Sequence, residues 1–153
     1  MQIPDASTPI VCDMTDAPDT DIERLAEYRR LFTHAAFLGR ERTTAGIRFR
    51  FRAEPGIEAW LRDLAAREKA CCAFFAFDIT TEGDEVRYDA AVTDNEPARA
   101  TLEEYYALPD TLVESVDGLN ERLAARGVVF SANSAGTVHQ VQPAGVVFDR
   151  LGG

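Results

Sequence analysis

The chain has no apolar run approaching the length of a membrane span, and its N-terminus lacks the basic-then-apolar pattern of a signal sequence. The cytoplasm is therefore the expected compartment. Positive charge is in short supply: 16 Lys and Arg stand against 26 Asp and Glu, for a formal net charge of −10 and a pI near 4.6. Such a surface repels polyanions, so neither nucleic acid nor an anionic membrane is an expected partner. Histidine is scarce. His34 and His139 stand alone, and there are no paired C-x-x-C motifs, so the usual spacings of structural zinc are absent. The cysteines are only Cys12, Cys71 and Cys72, an odd number that makes no disulfide framework; in a reducing compartment they are expected as thiols. No internal repeat or low-complexity segment is visible. The 153 residues, 46% of them hydrophobic, suffice for one domain with a core of its own.

What remains is concentrated between Glu68 and Phe77. The segment Gly56–Lys69 reads as an amphipathic helix, with Ile57, Leu61, Leu64 and Ala65 at the spacing i, i+4, i+7, i+8. At about 100° per residue, Glu68 falls roughly 20° from Ile57, inside the apolar stripe. Cys71 and Cys72 follow three and four residues later and flank it. A carboxylate on the core side of a helix is costly unless it is paired, protonated or hydrogen-bonded. Buried cysteine is often only a small hydrophobe, so packing alone is the plain explanation for each thiol taken singly.

The rest of the chain supplies the frame. Ile10–Met14 is a short strand that places Cys12 on a face with Ile10 and Met14. A helix starts near Asp21, capped by Thr20 or Asp19, with Ile22, Leu25, Ala26, Phe32 and Ala36 as its core stripe. Arg29 falls on that stripe, either snorkelling or countering a buried acid. Ile47, Phe49 and Phe51 alternate with Arg48, Arg50 and Arg52, a half-buried strand whose arginine row pairs with neighbouring acids or forms an anion site. Phe74–Thr81 and Val86–Val92 form an antiparallel hairpin. A helix capped by Asp94–Asn95 runs to Leu108 and is broken at Pro109–Asp110. Thr111–Glu114 has the capping-box pattern of a helix ending at Gly127. Val128–Phe130 and Val138–Val141 are readable as a last hairpin, with Val146–Phe148 following. The order is β-α-β-α-β-β-α-α-β-β: an α+β fold, its sheet mixed or mainly antiparallel, with helices packed on one face. Residues 10–127 form the domain and 128–153 a C-terminal extension.

Three functions are compatible with these residues. Thiolates without histidine suit a soft ion such as Hg(II), As(III) or Cu(I), held by Cys12, Cys71 and Cys72 with Glu68 as fourth ligand or proton donor. A thiol enzyme acting on an organometal or redox substrate is the second. A simple cysteine hydrolase is disfavoured, because a helix C-terminus and a nearby carboxylate both raise a thiol's pKa. The third is an interaction or ligand-binding domain with structural cysteines. Its apolar pocket would draw on Trp60, Phe74, Phe75, Phe77, Tyr88, Tyr105 and Tyr106, which also read as plain core. The expected partner is a metal ion or small thiophilic ligand, and the sequence leaves a homodimer open.

The pattern Glu68-x-x-Cys71-Cys72-x-Phe74-x-x-Phe77, with the upstream Ile10-x-Cys12 strand and the Phe-rich strand at 47–51, resembles a group of small uncharacterised bacterial proteins with an E-x-x-C-C-x-F motif. The resemblance covers residues 10–108 and implies the same fold unit and thiol cluster. That group is associated with heavy-metal handling, and the motifs of organomercurial lyases are not present.

Overall fold

The computed structural model describes residues 1–111, 116–126, 128–132 and 138–143. In chain order the elements are β1 (Val11–Asp13), α1 (Asp21–Thr33), β2 (Phe37–Arg42), β3 (Ile47–Arg52), α2 (Ile57–Cys71), β4 (Phe75–Glu82), β5 (Glu85–Val92), α3 (Glu96–Thr111), α4 (Val116–Ala125), β6 (Val128–Ala132) and β7 (Val138–Pro143). The fold is α+β, and the sequence-derived order is present with one further strand, β2. No helix among the described residues is long and apolar enough to cross a membrane.

The main sheet is antiparallel, in the order β2-β3-β5-β4. Its inner face follows from the period of two. Phe49 lies opposite Tyr88, which lies opposite Ile79; Phe51 lies opposite Val86. All five are buried, and α1 and α2 cover them. Phe32 of α1 meets Phe49 at a 4.7 Å centroid distance, and the Tyr28 hydroxyl lies 3.3 Å from that of Tyr88. The outer face carries the arginine row, paired as expected with neighbouring acids: Arg48 with Asp89, Arg50 with Glu85, Arg52 with Glu54.

The strand missed in the sequence, β2, is polar and interrupted. Its register shifts between Phe37 and Gly39, where Gly39 takes φ 149° and Leu38 bulges out to solvent. The α1 cap is as expected: Thr20 Oγ1 accepts from the Glu23 N–H at 3.1 Å, and Glu23 Oε1 accepts from the Thr20 N–H at 2.9 Å. The stripe is so only in part: Leu25 and Phe32 face inward as expected, joined by Arg24, Glu27, Tyr28 and Leu31, whereas Ile22 is 65% exposed and Ala36, though buried, lies beyond the helix end.

Pro109 does not break α3 but sits within its last turn. Proline removes the N–H that would meet a carbonyl one turn earlier and crowds that turn. Arg40 of β2 braces this turn from outside. It donates to the Tyr106 carbonyl at 2.7 Å, pairs with Asp110, and stacks 4.7 Å over the Tyr106 ring. The capping box proposed for Thr111–Glu114 falls mainly on residues outside those described, as do Gly127 and Val146–Phe148.

A second, smaller sheet has the order β1-β7-β6, both pairings antiparallel. The C-terminal hairpin is thus laid against the first strand of the chain. On its other side β1 makes a single antiparallel bridge, Cys12 to Cys72, that ties it to the end of α2.

Candidate functional site

The site lies where α2 ends. Leu61, Leu64 and Ala65 point the helix at the core, and the same stripe carries Glu68 and Cys71 inward at 3% and 5% exposure. Cys72 leaves the helix, with φ −120° and ψ 78°, while its N–H still reaches the Glu68 carbonyl at 2.7 Å. Lys69 closes the turn, donating to the carbonyls of Ala73 at 2.9 Å and Phe75 at 2.7 Å. This departure from helical geometry turns Cys72 toward β1.

The sulfurs of Cys12 and Cys72 are joined as a disulfide, with Cα atoms 4.4 Å apart. That corrects the expectation of three thiols. The pairing was hidden because the two residues, 60 apart in sequence, meet through a one-residue bridge that no local pattern announces. Cys71 remains a free, buried thiol. It donates to the Arg67 carbonyl at 2.9 Å and accepts from Arg24 Nη1 at 3.5 Å. Burial pushes its pKa up and the Glu68 charge adds to this, with Arg24 opposing.

Glu68 is paired. One carboxylate oxygen accepts from Arg24 Nη1, the other from the Tyr105 hydroxyl. Arg24 is itself held by Asp19, through Nε at 2.6 Å and Nη2 at 2.7 Å. Burial works against the Arg24 charge, but its hydrogen bonds to Asp19 and the Glu68 charge outweigh it and hold the guanidinium firmly protonated. Burial, reinforced by the Glu68 charge, also raises the phenols of Tyr105 and Tyr28 well above their ordinary value, so both keep their protons. The counter-charge to the buried acid is therefore Arg24, not Arg29, whose Nε is buried without a partner.

All four residues singled out in the sequence line one cavity of about 110 Å³. Cys12, Cys71, Cys72 and Glu68 share its wall with Met14, Leu25, Leu108 and Leu119, and with Arg24, Tyr28, Glu104 and Tyr105. Glu104, 2% exposed, is held by Arg122 at 3.0 Å and Arg126 at 2.6 Å. In this disulfide state no group of three or more His, Cys, Asp and Glu side chains among the described residues is disposed to hold a metal ion. Both Glu68 oxygens already face donors. His34 lies away from the sulfurs, accepting from the Ala36 N–H at 3.0 Å and meeting the Trp60 ring. The backbone of His139 is the register partner of Cys12.

Of the proposed pocket aromatics, only Tyr105 lines this cavity; Phe74, Phe75 and Tyr88 are core. Arg24, Tyr28 and Glu104 were not singled out from the sequence. A signal existed for the first two: Arg24, Tyr28 and Leu31 follow the spacing i, i+4, i+7.

Compared with models of known protein families, with curated proteins and with solved structures, the chain matches none.

Proposed function

We propose that this protein binds a soft metal or metalloid ion through its cysteines once the Cys12–Cys72 disulfide is reduced. One observation supports this above the others: three cysteines drawn from two distant parts of the chain border a single cavity. Metal–thiolate bonds of about 2.3 Å in a trigonal site need sulfurs about 4 Å apart. Backbones 4.4 Å apart at Cys12 and Cys72 leave that spacing to side-chain rotation. The resemblance at Glu68-x-x-Cys71-Cys72-x-Phe74 points the same way.

The role of Glu68 changes in this reading. Arg24 and Tyr105 occupy its oxygens, so it serves to anchor Arg24 beside Cys71 rather than as a fourth ligand. A thiol enzyme cleaving an organometal would need a proton donor at the cavity. Glu68 is placed as an acceptor, which leaves the Tyr105 hydroxyl for that task and makes binding the better-supported function. Reduced cysteines at this site need a reducing compartment, and the reading therefore favours the cytoplasm. Nucleic acid and membrane are not partners in this reading, and a homodimer is not required by it.

The test is titration of the fully reduced chain with mercuric ion, followed by the ultraviolet thiolate-to-metal band. One ion per chain is expected, with uptake lost in the Cys12→Ser/Cys72→Ser variant and much reduced in the unreduced protein. Equal uptake by the reduced protein and that double variant would overturn the proposal. If the serine variant loses only stability, the cysteines are structural and the chain is an interaction or ligand-binding domain.

A further inference from the structure

We infer that the ligand is a trivalent metalloid centre carrying one apolar carbon substituent, of the class of monosubstituted arsenicals, rather than a bare ion. The inference rests on the thiophilic reading of this site and deepens it.

The sulfurs are not equivalent. Cys12 and Cys72 face each other on adjoining backbones. The Cys71 thiol is turned to Arg67 and Arg24. Two close sulfurs and a third with other partners suit a centre that takes two thiolates and keeps one bond for something else. Trivalent arsenic with one carbon substituent has that valence.

The wall where the substituent would lie is apolar: Met14, Leu25, Leu108 and Leu119, with Tyr28 and Tyr105. The charged groups at its edge are already matched within the protein. Arg24 pairs with Glu68 and Asp19, and Glu104 pairs with Arg122 and Arg126. None requires a charge from the ligand, and an arsenical bound by two thiolates is neutral. Size agrees as well. The cavity of about 110 Å³ far exceeds the ~30 Å³ share of one water and approaches the ~150 Å³ of a dry cavity that takes up benzene. A bare ion would leave most of this apolar wall in contact with water, and an organic substituent would cover it.

The chemistry balances. A cellular dithiol first reduces Cys12–Cys72 by two electrons and is itself oxidised to a disulfide. Two As–O bonds of the hydrated arsenical then break and two As–S bonds form. The two thiol protons leave with the hydroxyl groups as two waters. Arsenic stays trivalent, so no further oxidant or reductant is needed.

The experiment compares phenylarsine oxide with arsenite on the reduced full-length chain by competition against dithiothreitol, whose own preference between the two sets the baseline. A preference at least about tenfold above that baseline is expected, a modest share of what burying an aryl ring contributes. Leu108→Trp, its fold checked by circular dichroism, fills the cavity and should erase the excess. A wild-type preference no larger than that of dithiothreitol, with both arsenicals bound, overturns this inference and leaves the soft-ion site standing. Failure to bind either overturns both.

Discussion

Arg24 and Glu68 form an ion pair almost wholly withdrawn from water, their side chains 5% and 4% exposed. Desolvating two charges is expensive, and their mutual attraction roughly offsets that cost only while both are present. Arg24→Met should therefore lower stability by about 3 kcal/mol or more, because it strands a buried carboxylate with only the Tyr105 hydroxyl. Arg24→Met together with Glu68→Leu should recover most of the loss. Urea denaturation of both variants gives the comparison; equal losses would show that the charges act independently.

The disulfide closes a loop across a sequence separation of 60 residues. Cross-linking a loop of that length restricts the unfolded chain enough to stabilise by about 4 kcal/mol. Reduction should lower the urea midpoint accordingly. Thiol titration of the denatured, unreduced protein should find one reactive group, rising to three after reduction. Three groups before reduction would contradict the pairing.

Burial, with the Glu68 charge, raises the pKa of Cys71. Alkylation of the folded protein by iodoacetamide should thus be slow at neutral pH and accelerate only above the ordinary thiol range. Glu68→Gln removes the opposing charge and leaves Arg24 beside the sulfur, so alkylation should begin at lower pH. For stability the sign is fixed. A raised pKa in the folded state gives a contribution that is present below the unfolded thiol's pKa and is lost as pH climbs through the folded value.

Trp60, the sole tryptophan, donates from Nε1 to Glu27 at 2.7 Å. Two hydrogen bonds from Arg67, at 2.7 Å each, hold the Glu27 carboxyl below its usual range, with burial opposing and Trp60 assisting. The folded pKa is depressed, so its stabilisation is present above the unfolded carboxylate's pKa and is lost as pH falls through the folded one. Tryptophan emission should report that protonation as a step below the ordinary carboxylate range. Glu27→Gln should abolish the step, and a step that persists would assign it to another group.

Periodicity carried much of this fold and a good part of the site. Ile47, Phe49 and Phe51, the stripe from Ile57 to Glu68, and the Thr20 cap of α1 are local signals, and each lies where its spacing places it. The α1 stripe was rotated because Ile22 and Ala26 are apolar and were counted, whereas Arg24 and Tyr28 have polar ends and were not. Yet the polar ends meet Glu68 and Tyr88 inside. Strand β2 escaped because its sequence alternates poorly and it is held by its partner β3. Pro109 misled because the arginine that supports its turn lies 69 positions upstream at Arg40. The Cys12–Cys72 bond is likewise a tertiary fact. The convergence on Glu68 was legible, but the oxidised pairing was not.

The outer face of the main sheet, with its cross-strand ladder of arginines and acids, gives the molecule a front and a back. Its salt-paired back offers nothing to a thiophilic ligand, whereas every sulfur opens toward the helices. A fluorophore or immobilisation tether belongs on that back, for instance at Thr80 of β4, where it stays clear of the cysteines and lets binding be followed on a fixed surface.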